Sequence, residues 1–136
     1  MKLREIMAQP VVRIHPGENV AVAARLLERS NIGCLPVCGS DGKLCGVVTD
    51  RDLVVRCLAA GKNPGTTSVR EVMTRQTLAA FPDMEAREAA ALMGQHQVRR
   101  LPVLENGRLC GMVSLGDLAR TGEEGEALER ISSNVR

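Results

Sequence analysis

Apolar residues fall into two rhythms along this chain, and the same succession of rhythms occurs twice. Val20, Ala23, Ala24 and Leu27 recur close to i, i+3, i+4, i+7, and Ala86, Ala89, Ala90 and Met93 repeat the spacing, which predicts one amphipathic helix in each half. After each helix come two short apolar runs, 35–38 with 44–49 and 101–104 with 109–114. They are joined by Ser40-Asp41-Gly42 and by Glu105-Asn106-Gly107. Asp-Gly and Asn-Gly between apolar runs predict hairpins. A short extended run and a proline precede each helix (11–14 and 77–80), and a last helix starts near Arg51 or Gly116. Asp83 is placed to cap the helix of the second half. Ser68 and Glu71 stand at capping-box spacing, which predicts a short helix opening that half. The fold class is therefore α+β, a β-α-β-β-α unit written twice.

The duplication is visible residue by residue. Shifting the chain by 66 places aligns residues 4–37 with 70–103 at 10 identities in 34, among them Arg4-Glu5, Met7, Pro16, Ala23-Ala24 and Leu35-Pro36-Val37. After one deletion the shift is 65, and LCGVVTDRDL (44–53) matches LCGMVSLGDL (109–118) at 6 of 10 positions. The organisation read from this is repeat one at 1–62, a linker at 63–68 within the breaker-rich GKNPGTTS stretch, repeat two at 69–121, and a tail at 122–136 that is either mobile or a docking helix. So short a period makes the halves dependent on each other.

Totals narrow the function classes. With 44% hydrophobic and 25% charged residues, the chain has the composition of a globular domain. Its apolar runs fall far short of the ~20 residues that span a bilayer, and MKLREIMAQP lacks a signal-peptide core; the expected location is the cytoplasm, away from membranes. A net charge of +2, from 18 basic and 16 acidic residues spread along the chain, argues against nucleic acid. One Phe and no Trp or Tyr leave no stacking platform. Five cysteines without a CxxC pair indicate neither a disulfide framework nor a zinc ribbon. No phosphate loop, Rossmann fingerprint, HExxH or GxSxG occurs. His15 and His96 have no recognisable nucleophile partner, so no catalysis is expected.

The doubled phrase carries the chemistry. Thr49-x-x-Asp52 and Ser114-x-x-Asp117 each place a hydroxyl at a strand end and a carboxylate at a helix start. Such a turn offers N–H groups and a hydroxyl to an anion and a carboxylate to a sugar diol. The same spacing also makes a helix cap, and both readings stand at this stage. Arg51 lies inside the first phrase where the second has Gly116. Arg99 and Arg100 precede the second LPV where the first half has Gly33-Cys34. Arginine bonds phosphate oxygens in directional pairs, although two adjacent arginines are equally consistent with a solvated surface.

The Ala/Leu-rich helix, the LPV strand and the Gly-apolar-apolar-Ser/Thr-x-x-Asp-Leu ending, in that order and twice over residues 1–121, closely resemble the CBS domain. The chain as a whole is similar to a stand-alone tandem pair, or Bateman module. The resemblance implies two packed halves related by a pseudo-twofold axis, sheets together and helices outside, in a homodimer. It also implies an adenosine-containing ligand (AMP, ADP, ATP or a related species) held in clefts between the halves, and a regulated partner protein. Carried over by position, Thr49, Asp52, Ser114 and Asp117 would hold ribose, and Arg51, Arg99 and Arg100 phosphate. The backbone leading into Pro36 and Pro102 would read adenine. No metal or required cofactor is implied. Two other readings remain: a metal or redox sensor built on Cys34, Cys38 and Cys45, and an interaction module with empty clefts.

Overall fold

The computed structural model describes residues 1–75 and 78–120. The tail at 122–136, read as mobile or as a docking helix, lies outside them. Spatially the chain forms two units, Val12–Thr77 and a second made of Met1–Val11 with Leu78–Arg136. These units are out of step with the sequence repeats, because each combines the body of one repeat with the opening segment of the other.

In the Val12–Thr77 unit, Asn19 starts α1 (Val20–Ser30) by accepting the Val22 N–H at 3.0 Å, and Asn31 ends it in the left-handed region at φ 53°. Asparagine tolerates that region better than most residues. Val20, Ala23 and Leu27 are buried as the periodicity requires, whereas Ala24 is exposed. β1 (Cys34–Cys38) and β2 (Leu44–Thr49) pair antiparallel, with Leu35 opposite Val48 and a bulge after Val37. The run predicted at 11–14 contributes only a one-residue parallel bridge, Ile14 beside Val37, with Ile14 N–H bonded to the Pro36 carbonyl. After β2 comes one α-turn, α2 (Asp50–Asp52). It widens into π-helical turns over Leu53–Leu58, where the Ala59 N–H reaches back to the Val54 carbonyl at 2.8 Å. α3 (Val69–Val72) opens where the capping box predicts, Glu71 accepting the Ser68 N–H at 2.8 Å. Leu35, Val37, Val48, Val69 and Val72 are wholly buried in one core.

The second unit repeats the plan with α4 (Ala86–His96), β3 (Arg100–Glu105), β4 (Arg108–Ser114) and α5 (Leu115–Ala119). Leu101 lies opposite Val113, and Ala80 bridges Val103 in parallel as Ile14 bridges Val37. Leu3, from a single 3-10 turn at Leu3–Glu5, is wholly buried among Ala89, Met93, Leu101, Val103, Val113 and Leu118. The cap expected from Asp83 is corrected. Glu85 stands immediately before α4, and Asp83 accepts instead from Arg4, at 2.7 Å from Nη2 and 3.0 Å from Nε. A cap must directly adjoin the first helical residue, and Asp83 lies too far upstream.

The opening segment is thus held by charge as well as by Leu3. Arg4 holds the Asp83 carboxyl below its ordinary range through a hydrogen bond and its charge, and the chain's terminal amine, 3.0 Å from Glu85, does the same to Glu85. Depressed carboxylate pKa values mean stability that is complete above the unfolded range near ~4 and is lost as pH falls through the folded values. Urea midpoints measured from pH 6 to pH 2.5 should fall less steeply for Arg4→Ala than for the parent protein, the two curves converging in acid. Parallel curves would show that this pair contributes nothing.

Candidate functional site

Both strand-to-helix elbows form, and each is a reciprocal cap. Asp52 N–H donates to Thr49 Oγ1 and Thr49 N–H donates to Asp52 Oδ2, both at 3.0 Å. In the second unit Asp117 N–H donates to Ser114 Oγ at 3.1 Å and Ser114 N–H to Asp117 Oδ2 at 2.8 Å. The cap reading of the doubled phrase is therefore realised twice. It leaves one carboxylate oxygen of each aspartate to be accounted for.

The surroundings of the two carboxylates differ. Asp52 is buried, and the Thr74 hydroxyl donates to it at 3.2 Å from Oδ1 and 3.3 Å from Oδ2. Arg56 Nε lies 3.9 Å from Oδ1, and Arg56 Nη1 donates to the Met73 carbonyl at 2.9 Å. Asp117 is half-buried, and among the described residues its Oδ1 accepts from Arg120, a largely exposed side chain, at 2.8 Å. Thr74 and Arg56 were not legible as site residues. Thr74 lies 22 residues from Asp52, and no local spacing rule spans that separation.

Each elbow borders a recess within its own unit. In the second unit Arg99, Arg100, Ser114, Leu115 and Gly116 line an open recess of about 430 Å³. Strand register produces this meeting: Arg100 pairs with Ser114 across β3 and β4, and the Leu115 N–H bonds the Arg99 carbonyl at 2.9 Å. Both arginines are exposed, and neither guanidinium has a carboxylate partner among the described residues. In the first unit Asp50, Arg51, Val54 and Val55 line a recess of about 360 Å³. There Gly33 stands where Arg99 stands in the other unit, and its carbonyl accepts the Asp50 N–H at 3.0 Å. One recess thus carries two cations without a carboxylate partner among the described residues, and the other a carboxylate and a guanidinium.

Neither Pro36 nor Pro102 is among the lining residues of either recess. They are buried strand residues whose carbonyls accept from Ile14 and Ala80 at 3.0 and 2.9 Å, and proline has no N–H to offer. Of the cysteines, Cys38 and Cys57 are buried and Cys34, Cys45 and Cys110 half-buried. Burial raises the Cys38 and Cys110 thiols, which makes them poor thiolates. No group of three or more His, Cys, Asp or Glu side chains suited to a metal ion occurs among the described residues. No helix among them is long and apolar enough to cross a membrane.

Comparison with known proteins gives this geometry its context. The sequence matches the CBS domain over residues 3–58 and again over 69–124. YhcV, a CBS domain-containing protein of Bacillus subtilis, is 36% identical over 133 residues, 98% of this chain and 94% of its own. The crystal structure of Hypoxic Response Protein I with two coordinated zinc ions superposes with a TM-score of 0.80 at 37% identity, covering 88% of this chain and 98% of that one. CBSX2 in complex with AMP superposes with a TM-score of 0.77 at 27% identity, covering 89% and 95%. Two mixed helix-and-hairpin units, a doubled Ser/Thr-x-x-Asp elbow and two matches in tandem lead to one conclusion: the chain belongs to the CBS domain family and carries the domain twice.

Proposed function

We propose that this protein is a regulatory, non-catalytic sensor of adenosine phosphates, that it works as a homodimer, and that it passes ligand occupancy to a regulated partner protein. The observation that carries the reading is the convergence of Arg99, Arg100 and the Ser114 elbow on one recess. Two guanidinium groups without carboxylate partners among the described residues suit a phosphate, and the Asp117 carboxylate, next in the chain to the lining residue Gly116, suits a ribose diol. The AMP complex of CBSX2, a structure of the same fold, favours an adenine nucleotide as the ligand. In the first unit, Arg51 is the guanidinium that borders the corresponding recess among the described residues. Thr49 and Asp52, which flank the lining residues Asp50 and Arg51 in the chain, are by position the diol-binding candidates there.

Titration calorimetry with AMP tests this. Replacing both Arg99 and Arg100 by alanine removes two charge-assisted contacts. Each is worth about 1.5–3 kcal/mol when formed, and solvent exposure lowers that; the dissociation constant should rise about 30-fold. An unchanged constant in the double variant would overturn the reading.

A further inference from the structure

We propose that the two elbows have divided the work. The Ser114–Asp117 elbow with Arg99 and Arg100 takes one ribose phosphate per chain, while Thr74 and Arg56 close the Thr49–Asp52 elbow and turn it into a clamp on residues 69–75. This rests on the ligand reading above for the Ser114–Asp117 elbow and replaces it at Thr49 and Asp52, assigning the ligand to one repeat and naming the residues that exclude it from the other.

The two carboxylates differ in how fully they are engaged. A ribose diol approaching Asp52 meets oxygens already engaged by the Thr49 N–H and by the Thr74 hydroxyl, with Arg56 alongside. To bind, it must displace Thr74. At Asp117 the competing donor is Arg120, whose side chain is 68% exposed and yields its place at little cost, as exposed ion pairs do.

The two elbows also differ in the residue laid beside them. Thr74 bridges Val47 in the first unit as Ala8 bridges Met112 in the second, each pair antiparallel and exchanging backbone hydrogen bonds. Position 8 therefore stands to the second elbow as position 74 stands to the first. It carries a methyl group and no hydroxyl. Charge differs as well. A phosphate meets Arg99 and Arg100 in one recess, and in the other Arg51 set against the Asp50 carboxylate.

The closed elbow has work of its own. Arg56 Nη1 reaches the carbonyls of Val72 and Met73, at 3.4 and 2.9 Å, just where α3 ends. Together with the Thr74–Asp52 bonds, this fastens the segment that belongs by sequence to repeat two onto the body of repeat one.

Calorimetric titration with AMP decides the matter when read for stoichiometry as well as affinity. The parent protein should bind one AMP per chain. Asp117→Asn should weaken binding at least tenfold. Ala8→Thr, at an exposed position where a hydroxyl is tolerated, should supply the competing donor and weaken binding about fivefold. Thr74→Val should leave affinity at the Ser114–Asp117 elbow alone while lowering the urea midpoint, and an unchanged midpoint would overturn the clamp. Two AMP molecules bound with similar affinity, or full affinity retained in Asp117→Asn or Ala8→Thr, would overturn the division of work and leave the sensor reading standing. Failure of the parent protein to bind AMP at all would overturn both.

Discussion

Gly46→Ala should destabilise the protein by about 3 kcal/mol, at the upper end of what overpacking costs, while Gly111→Ala should cost only about 1 kcal/mol. The two glycines occupy equivalent places in β2 and β4, and each lies beneath an opening segment contributed by the other repeat. A methyl group at Gly46 would run into the carbonyl of Thr74 and the backbone of Arg75. Those atoms are held in place by paired hydrogen bonds between Thr74 and Val47, at 2.9 and 2.8 Å. Backbone fixed in this way has no rotamer to retreat into. At Gly111 the methyl group would meet the side chain of Met7, an unbranched, flexible group that swings aside at modest cost. Urea denaturation of the two single variants separates these cases. Equal losses would mean that the backbone over Gly46 gives way as easily as a methionine side chain.

Leu101→Ala should lower stability by about 3–4 kcal/mol. Leu101 is wholly buried in β3, among Leu3, Ala89, Met93 and Val113. Truncating a leucine in such a place removes its transfer free energy and leaves a cavity, a combination that costs about 2–5 kcal/mol. The estimate sits above the middle of that range because Leu101 is flanked by a paired strand and by small alanines of α4, which have no long side chains to move into the space. The denaturant midpoint should fall with the slope of the transition unchanged. A loss below about 1 kcal/mol would mean that the core collapses around the truncation. Because Leu3 from the opening segment shares this core, Leu3→Ala offers an independent check on how firmly that segment is held.

Much of this arrangement is legible in one dimension. The α4 stripe Ala86, Ala89, Ala90, Met93 is buried throughout, because a 3.6-residue period against a single core face needs no further information. The hairpins follow from Asp41-Gly42 and Asn106-Gly107, where Gly42, Asn106 and Gly107 adopt the positive φ the turns demand. The α1 stripe was only partly legible. Ala24 has the right spacing but is exposed, since an alanine side chain is short enough to stand at the margin of a buried face at little penalty. The apolar residues at 11–14 and 77–80 predict extended strands. In the fold Ile14 and Ala80 each make a single bridge, because strand length is set by how long a neighbour runs alongside.

Local chemistry by itself determined the repeats, the helices and hairpins, and the two Ser/Thr-x-x-Asp elbows, since caps, turns and amphipathic periods act over a few residues. Tertiary structure decided what those elbows face. Thr74 and Arg56 come to Asp52, Ala8 takes the matching place in the other unit, and Arg99 and Arg100 meet Ser114 across a strand pair. Such pairings are made by folding residues far apart in the chain onto one another, and two nearly identical phrases acquire different chemistry because the segments laid beside them differ.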